Sequence, residues 1–163
     1  MQHPNLIQNK VFTTDGIIHQ VRRWRLLSKK IVFTNGCFDI LHQGHLEVLS
    51  DAAAAGDILL VGVNTDASVN KLKGPHRPVN NENLRALMLA SLTIVDGVIL
   101  FGEDTPLELI KTIRPDVLVK GGDYTVDKIV GAKEVIAAGG EVKVVPLVNG
   151  YSTTALIEKI RSL

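Results

Sequence analysis

The stretch IVFTNGCFDILHQGH, residues 31–45, joins a short apolar run to a loop of mixed polar residues. Ile31, Val32 and Phe33 are typical of a buried β-strand. The loop that follows contains two glycines, an aspartate and the histidines at positions 42 and 45, a mixture that adds nothing to a hydrophobic core. The sequence therefore predicts a strand that ends either in a turn or in a loop that holds something polar.

Apolar runs rich in valine and isoleucine recur along the chain, and a segment with helical spacing follows each of them. The runs cover residues 31–33, 58–63, 98–101, 117–119 and 142–145. Strands that alternate with helices form the βαβ pattern, and continuous apolar strands indicate a parallel sheet covered on both faces. We therefore predict a single α/β domain, Rossmann-like and doubly wound, whose five-stranded parallel sheet binds ligands at the carboxyl ends of its strands.

The helical segments predict which side chains face the core. Ile17, Val21 and Trp24 share one helical face, so residues 1–30 are expected to form a helical extension packed on a domain of residues 31–163. Two further helices are predicted over residues 83–92 and from about residue 152 onwards. Their expected buried stripes are Leu84, Leu87, Met88 and Leu92 in the first, and Leu156, Ile157 and Ile160 in the second.

Composition excludes several classes of function. The 163 residues include 18 Lys and Arg against 17 Asp and Glu, so a net charge of +1 leaves no broad basic surface for nucleic acid or an anionic membrane. The single cysteine, Cys37, cannot form an internal disulfide, and no run approaches the roughly 18 apolar residues of a membrane span. With no apolar stretch of a signal peptide at residues 1–10, we predict a cytoplasmic protein.

The loop after the first predicted strand suits an anion. Gly36 allows the backbone to approach a ligand, and the start of the following helix offers unpaired N–H groups to a phosphate. His42 and His45, three residues apart across that helix start, can present both imidazoles on one side. Two alternatives remain for these histidines. In one, they are half of a zinc site that Asp39 and His76 complete; in the other, they are purely structural. The dinucleotide motif GxGxxG and the P-loop motif GxxxxGK[ST] are both absent from the loop.

The sequence His42-Gln43-Gly44-His45 resembles the HxGH signature of the nucleotidyltransferase superfamily, in the cytidylyltransferase-like group. That resemblance implies that the histidines stabilise the α-phosphate of a nucleoside triphosphate while a substrate phosphate attacks it and pyrophosphate leaves. It also favours Lys73, in the basic loop that contains Lys71 and Arg77, as a phosphate-binding lysine.

Three hydroxyls, Ser152, Thr153 and Thr154, stand at the start of the last predicted helix. The first turn lacks the acidic residue that usually neutralises the positive end of a helix. One hydroxyl is explained by an N-cap, whereas three suit the β- and γ-phosphates, as the corresponding STT does in the resembling transferases.

The ordered combination NGCFDILHQGH, SVNKLKG, RPVN, TPLELI, RPDVLVKGGDY, IVGAKEV and STT is similar to the heptose 1-phosphate adenylyltransferases over residues 31–163. The resemblance implies adenylyl transfer from ATP to D-glycero-D-manno-heptose 1-phosphate, giving ADP-heptose and pyrophosphate. It further implies Mg²⁺ bridging the ATP phosphates with few protein ligands, a separate heptose kinase in the same pathway, and a homodimer. No residue is predicted as a metal ligand, and the anomer of the sugar phosphate stays open.

The same resemblance assigns residues to roles. His42, His45 and Lys73 are the expected catalytic residues. The expected nucleotide-binding residues are Thr34, Asn35, Gly36, Cys37, Phe38, Gly44, Lys120, Gly121, Ser152, Thr153 and Thr154. The expected substrate-binding residues are Asp39, Asp66, Arg77, Arg85 and Asp123.

Two alternative functions stay open. One is a cytidylyltransferase acting on glycerol 3-phosphate or a similar alcohol phosphate; that group has an arginine-bearing RTxGISTT segment, whereas residues 147–154 read LVNGYSTT. The other is a nucleotide-binding domain without turnover.

Overall fold

A computed structural model of the chain describes residues 5–146 and 150–163. The described part contains one parallel sheet whose strand order is β1-β4-β3-β2-β5-β6. The strands are β1 (Val11–Phe12), β2 (Ile31–Gly36), β3 (Ile58–Asn64), β4 (Gly97–Phe101), β5 (Val117–Gly121) and β6 (Glu141–Val145). The prediction of a doubly wound parallel sheet is confirmed, with six strands rather than five.

The additional strand, β1, lies at the edge of the sheet beside β4, where Val11 pairs with Val98. Two residues are too few to form a recognisable apolar run, so this strand could not be predicted from the sequence. Its position depends on a tertiary contact, because a side chain at Gly97 would lie 2.9 Å from the ring of Phe12.

Helices cover both faces of the sheet. They are α1 (Thr14–Leu26), α2 (Gln43–Ala53), α3 (Asp66–Lys73), α4 (Glu82–Ala90), α5 (Leu107–Ile113), α6 (Ala132–Ala137) and α7 (Thr153–Arg161). One core layer contains Ile17 and Val21 of α1, with Trp24 packed against it, together with buried residues of α5 and α6. The other contains buried residues of α2 and α4. No helix in the described ranges is both long and apolar enough to cross a membrane.

The predicted apolar stripe of α4 is only partly correct, because Leu87, Met88 and Leu92 are half-buried whereas Leu84 is not. Leu84 is 44% exposed, whereas Arg85, Ala86 and Leu89 are buried. The heptad-like spacing of leucines placed Leu84 on the buried face because an arginine was not expected to occupy the core side of the helix. The consequence is a fully buried guanidinium beneath the cleft.

The predicted burial along α7 is also incorrect in part. Leu156 and Ile157 are half-buried, and Ile160 is 63% exposed. No residue of α7 is fully buried.

Candidate active site

The loop of residues 37–42 leaves the sheet at the place where strand order reverses. Strand β2 pairs with β3 on one side and with β5 on the other. Loops that leave neighbouring strands in opposite directions open a crevice at the carboxyl ends of those strands. The ends of β2 and β5 therefore form the floor of a cleft, as the sequence predicted.

The two histidines form a stacked pair at the start of α2. Their ring centroids are 3.8 Å apart and the ring planes differ by 23°. His42 directly precedes the helix, and Gly44 leaves room for its ring, since a methyl group at Gly44 would lie 3.2 Å from two of the ring atoms. The glycine of HxGH is thus explained by a close approach between a backbone and a side chain.

The histidine rings are under-satisfied in the free protein. Both Nδ1 atoms are buried, and neither has a hydrogen-bond partner within residues 5–146 and 150–163. Burial lowers the pKa of His45 to about 4, with a further decrease from His42 and a partial offset from the carbonyl of Ile40. Burial also lowers the pKa of His42. Both rings are therefore neutral at pH 7, and an anion placed against them would favour their protonation.

Phe38 supports the pair from below. It is buried and adopts φ = 47°, a left-handed conformation that is uncommon for a residue other than glycine. Its ring centroid lies 5.2 Å from that of His45. A side chain at Gly36 would lie 3.2 Å from the same phenyl ring, so Gly36 provides the space that Phe38 occupies.

Two adjoining cavities form the cleft, with Phe38, His45 and Ser152 in the walls of both. The first, which we call the histidine cavity, has a volume of about 280 Å³. It is lined by Thr34, Asn35, Gly36, Phe38, His42, Gly44, His45, Val48, Lys120, Gly121, Tyr151 and Ser152. The second, which we call the lysine cavity, has a volume of about 290 Å³. It is lined by Cys37, Phe38, Asp39, His45, Lys73, Arg77, Ser152, Thr153 and Thr154.

The start of α7 reaches this cleft from the opposite end of the chain. The Ser152 hydroxyl accepts a hydrogen bond from the N–H of Ala155 at 3.0 Å and caps the helix. The Thr153 hydroxyl donates to the carbonyl of Ile40 at 3.5 Å, which connects the helix start to the HxGH loop. Because the first turn of α7 contains no acidic residue, its N–H groups face the cleft without a fixed negative charge.

The basic segment after β3 was predicted as a loop, but Lys71 and Lys73 lie in the last turn of α3, and the two lysines have different roles. Lys73, the last residue of α3, lines the lysine cavity. Lys71 points elsewhere and forms an exposed ion pair with Asp104 at 2.5 Å. The spacing of the two lysines along a helix puts them on different sides, so only one of them serves the cleft.

Asp39 is fully paired. Its buried carboxylate accepts hydrogen bonds from Arg77 Nε at 2.5 Å and from the N–H groups of Val79 and Asn80 at 2.7 and 3.0 Å. Asp39 therefore fastens the loop after β2 to residues 77–80, and it orients Arg77 at the wall of the lysine cavity.

Arg85 has no exposed surface. Its guanidinium donates to the carbonyls of Asn80 and Cys37, at 2.9 and 2.6 Å, and to the Asp66 carboxylate at 2.8 Å. The predicted direct contact of Arg85 with substrate does not fit this burial, because all three nitrogens are engaged by protein oxygens. Its position makes it a support for the cleft floor.

Two other predicted substrate residues lie away from both cavities. Asp66 pairs with Arg85 at the start of α3. Asp123 is exposed beyond the end of β5. Neither lines the histidine cavity or the lysine cavity within the part of the chain that the structure describes.

Cys37 is unsuited to nucleophilic chemistry. Burial raises the pKa of its thiol, although Lys73, Arg85 and Arg77 act in the opposite direction. Its sulfur lies 3.9 Å from Asn64 Oδ1, and its carbonyl accepts the hydrogen bond from Arg85. The residue contributes a small side chain and a carbonyl to the lysine cavity.

Val48 and Tyr151 line the histidine cavity and were missed from the sequence. Val48 follows Gly44 by one helical turn, so helical spacing from HxGH would have found it. Tyr151 directly precedes the STT segment. The departure from RTxGISTT also involves residues 147–149, which lie outside the described residues.

The chain is similar to proteins of known family. Residues 33–159 match the cytidylyltransferase-like family. The chain is 59% identical to the bifunctional protein HldE of Hyphomonas neptunium, over 89% of this chain and 30% of that protein. It is 60% identical to the bifunctional protein HldE of Caulobacter vibrioides, over 87% of this chain and 29% of that protein. The chain thus spans about a third of the length of these curated relatives.

Solved structures are also similar to the chain, including the following two. One is the lipopolysaccharide core biosynthesis protein of Thermoplasma volcanium, with a TM-score of 0.59 and 30% identity over 76% of this chain and 99% of that one. The other is the pantoate-β-alanine ligase of Francisella tularensis, with a TM-score of 0.59 and 14% identity over 94% of this chain and 78% of that one, which shows a shared fold alone. The resemblance carried by HxGH is confirmed, and the chain belongs to the cytidylyltransferase-like family of nucleotidyltransferases.

Proposed function

We propose that the chain transfers the adenylyl group of ATP to D-glycero-D-manno-heptose 1-phosphate, giving ADP-heptose and pyrophosphate. One observation carries this proposal: the stacked histidines and the start of α7 line the same cleft. The high identity to HldE proteins and the similarity to a lipopolysaccharide core biosynthesis protein support a heptose phosphate as the acceptor.

The proposed chemistry is a direct in-line displacement. A phosphate oxygen of the sugar attacks the α-phosphorus of ATP, the bond from that phosphorus to the bridging oxygen breaks, and pyrophosphate leaves with the electron pair. Because the attacking oxygen is already ionised, a general base is unnecessary, and catalysis depends on positioning and on charge neutralisation.

The geometry suggests that each cavity binds a different substrate. ATP would place its α-phosphate against His42 and His45, with β- and γ-phosphates at the N–H groups and hydroxyls of residues 152–154. The sugar phosphate would enter the lysine cavity, where Lys73 supplies positive charge and Arg77, oriented by Asp39, supplies hydrogen-bond donors. His45 and Ser152, which belong to both cavities, stand where the two phosphates would meet.

Magnesium is expected to accompany ATP and, when bound, to neutralise part of the phosphate charge. Mg²⁺ in such sites takes most of its ligands from phosphates and water, with one or two carboxylates. The cleft carboxylate, Asp39, is already occupied by Arg77 and two backbone N–H groups. We therefore assign no protein ligand to the ion.

Further features of this proposal concern the setting of the enzyme. We expect a cytoplasmic homodimer whose acceptor is supplied by a heptose kinase activity. The product would be consumed by transfer of the heptose to the lipopolysaccharide core or to another glycan.

Pyrophosphate release tests the proposal. ATP and CTP are each offered with both anomers of the heptose 1-phosphate, with glycerol 3-phosphate and with phosphocholine. ATP with one heptose 1-phosphate anomer is expected to give the highest kcat/KM. Preferred use of CTP with glycerol 3-phosphate would contradict the proposal, and so would an absence of release from every pair.

A further inference from the structure

Lys120 lies on the floor of the histidine cavity and is weakly bonded there. It is the second-last residue of β5, beside the end of β2. Its Nζ lies 3.4 Å from both the carbonyl oxygen and the side-chain oxygen of Asn35. Both distances exceed the usual 2.7–3.2 Å for a hydrogen bond from nitrogen to oxygen.

The ammonium of Lys120 has no carboxylate partner within residues 5–146 and 150–163. Burial lowers its pKa, and the only influence in the other direction comes from Cys37. A partly buried cation without an anionic partner is unfavourable for the folded state. The two arginines near the cleft floor differ in this respect, because Arg77 is paired with Asp39 and Arg85 with Asp66.

Among the described residues that line the histidine cavity, Lys120 is the only Lys, Arg, Asp or Glu. The histidines themselves are neutral in the free protein at pH 7, since burial lowers the pKa of both rings. The fixed positive charge in this cavity therefore comes from a lysine that the HxGH signature does not include.

We propose that Lys120 is a catalytic residue: its Nζ leaves the Asn35 oxygens and binds the phosphate chain of the nucleotide beside His42 and His45. This inference rests on the proposed function, since it takes the nucleotide to occupy the histidine cavity. The ammonium keeps its proton throughout and forms no covalent bond. Its charge stabilises the negative charge on the phosphoryl oxygens while the α-phosphorus is attacked.

Lys120→Met tests the proposal, because methionine preserves most of the side-chain volume and removes the charge. Binding of ATP and of adenosine is measured directly, and turnover is measured by pyrophosphate release. The variant is expected to bind ATP about 10-fold more weakly, to bind adenosine as the wild type does, and to lose roughly 100-fold in kcat. KM for the sugar phosphate is expected to change little.

Lys143→Met is the matched control. Lys143 lies on the neighbouring strand β6, opposite Val119, and its Nζ is 4.0 Å from Asp51, outside both cavities. The Lys143→Met variant removes the same charge as Lys120→Met, and we expect its ratio of ATP to adenosine affinity to equal that of the wild type.

Thermal unfolding provides a second readout. Removal of an unpaired charge predicts that free Lys120→Met unfolds at or above the wild-type temperature. A variant that fails to fold or unfolds well below that temperature would overturn the proposal, because the ammonium would then stabilise the structure itself.

Two binding results would also overturn it: a wild-type ratio of ATP to adenosine affinity in Lys120→Met, or an effect confined to KM for the sugar phosphate. The binding comparison uses no acceptor. A wild-type protein that binds ATP yet releases no pyrophosphate with heptose 1-phosphate would therefore contradict the proposed function and still leave this test decisive.

Discussion

Two groups of buried or half-buried polar side chains surround the cleft, and they differ in how fully they are paired. Asp39 and Arg85 use their charged groups in short hydrogen bonds to protein atoms. His42, His45 and Lys120 have unpaired ring nitrogens or long contacts. A folded protein normally satisfies its buried polar groups, so the unpaired group indicates where a ligand binds and the paired group indicates what supports the site.

The largest expected effect comes from the unpaired group. His45→Ala removes an imidazole that contacts the α-phosphate in the proposed function, so pyrophosphate release should fall by about 10³-fold. The loss should appear mainly in kcat, with the circular dichroism spectrum unchanged. His19→Ala, an exposed change on α1, serves as control and should keep wild-type turnover. Comparable activity in the two variants would remove His45 from the mechanism.

Substitutions in the paired group should mainly lower the stability of the protein. Arg85→Met leaves the carbonyls of Cys37 and Asn80 and the carboxylate of Asp66 without their donor. We expect a loss of about 2–4 kcal/mol in the free energy of unfolding, measured in urea. Arg22→Met, an exposed change on α1, should cost less than about 0.5 kcal/mol. Equal stability of the two variants would show that the buried network contributes nothing.

Acid should destabilise the free protein through His45. Its pKa is about 4 in the folded chain and 6.5 ordinarily, so below pH 6.5 the unfolded chain binds a proton that the folded chain does not. The free energy of unfolding should therefore decrease from pH 6.5 to pH 4.5. His45→Asn should reduce that decrease by about 1–3 kcal/mol. Identical pH profiles for the variant and the wild type would contradict the lowered pKa.

The smallest expected effect is the difference between substitutions of two lysines on α3. Lys73→Met removes a cation of the lysine cavity and should raise KM for the sugar phosphate about 10-fold. Lys71→Met breaks only an exposed ion pair with Asp104, so stability and turnover should change very little. If the Lys71 variant loses more activity than the Lys73 variant, the assignment of the lysine cavity is wrong.

Much of the fold could be predicted from the sequence because parallel strands buried on both faces form continuous apolar runs. The two-residue strand β1 could not, since it exists only through its pairing with β4. The convergence of His45 and Ser152 could be expected because both follow strands that end at one edge of the sheet. The distance between His45 and Ser152 in the sequence would not by itself have indicated this proximity.

The function of individual charged residues was harder to predict than their presence near the cleft. Arg85 and Asp39 were expected to contact substrate, yet their charged groups already have close hydrogen-bond partners in the protein. Sequence reveals residue type and approximate location, whereas pairing depends on distances of a few tenths of an ångström. That is also why the long contacts of Lys120 became visible only in the structure.

The most direct test of the central claim is a crystal structure with a non-hydrolysable ATP analogue. The claim predicts the α-phosphate within hydrogen-bonding distance of both His42 and His45, and the β- and γ-phosphates at the N–H groups of residues 153–154. A triphosphate that reaches only one of these two groups, or that binds outside the histidine cavity, would contradict it.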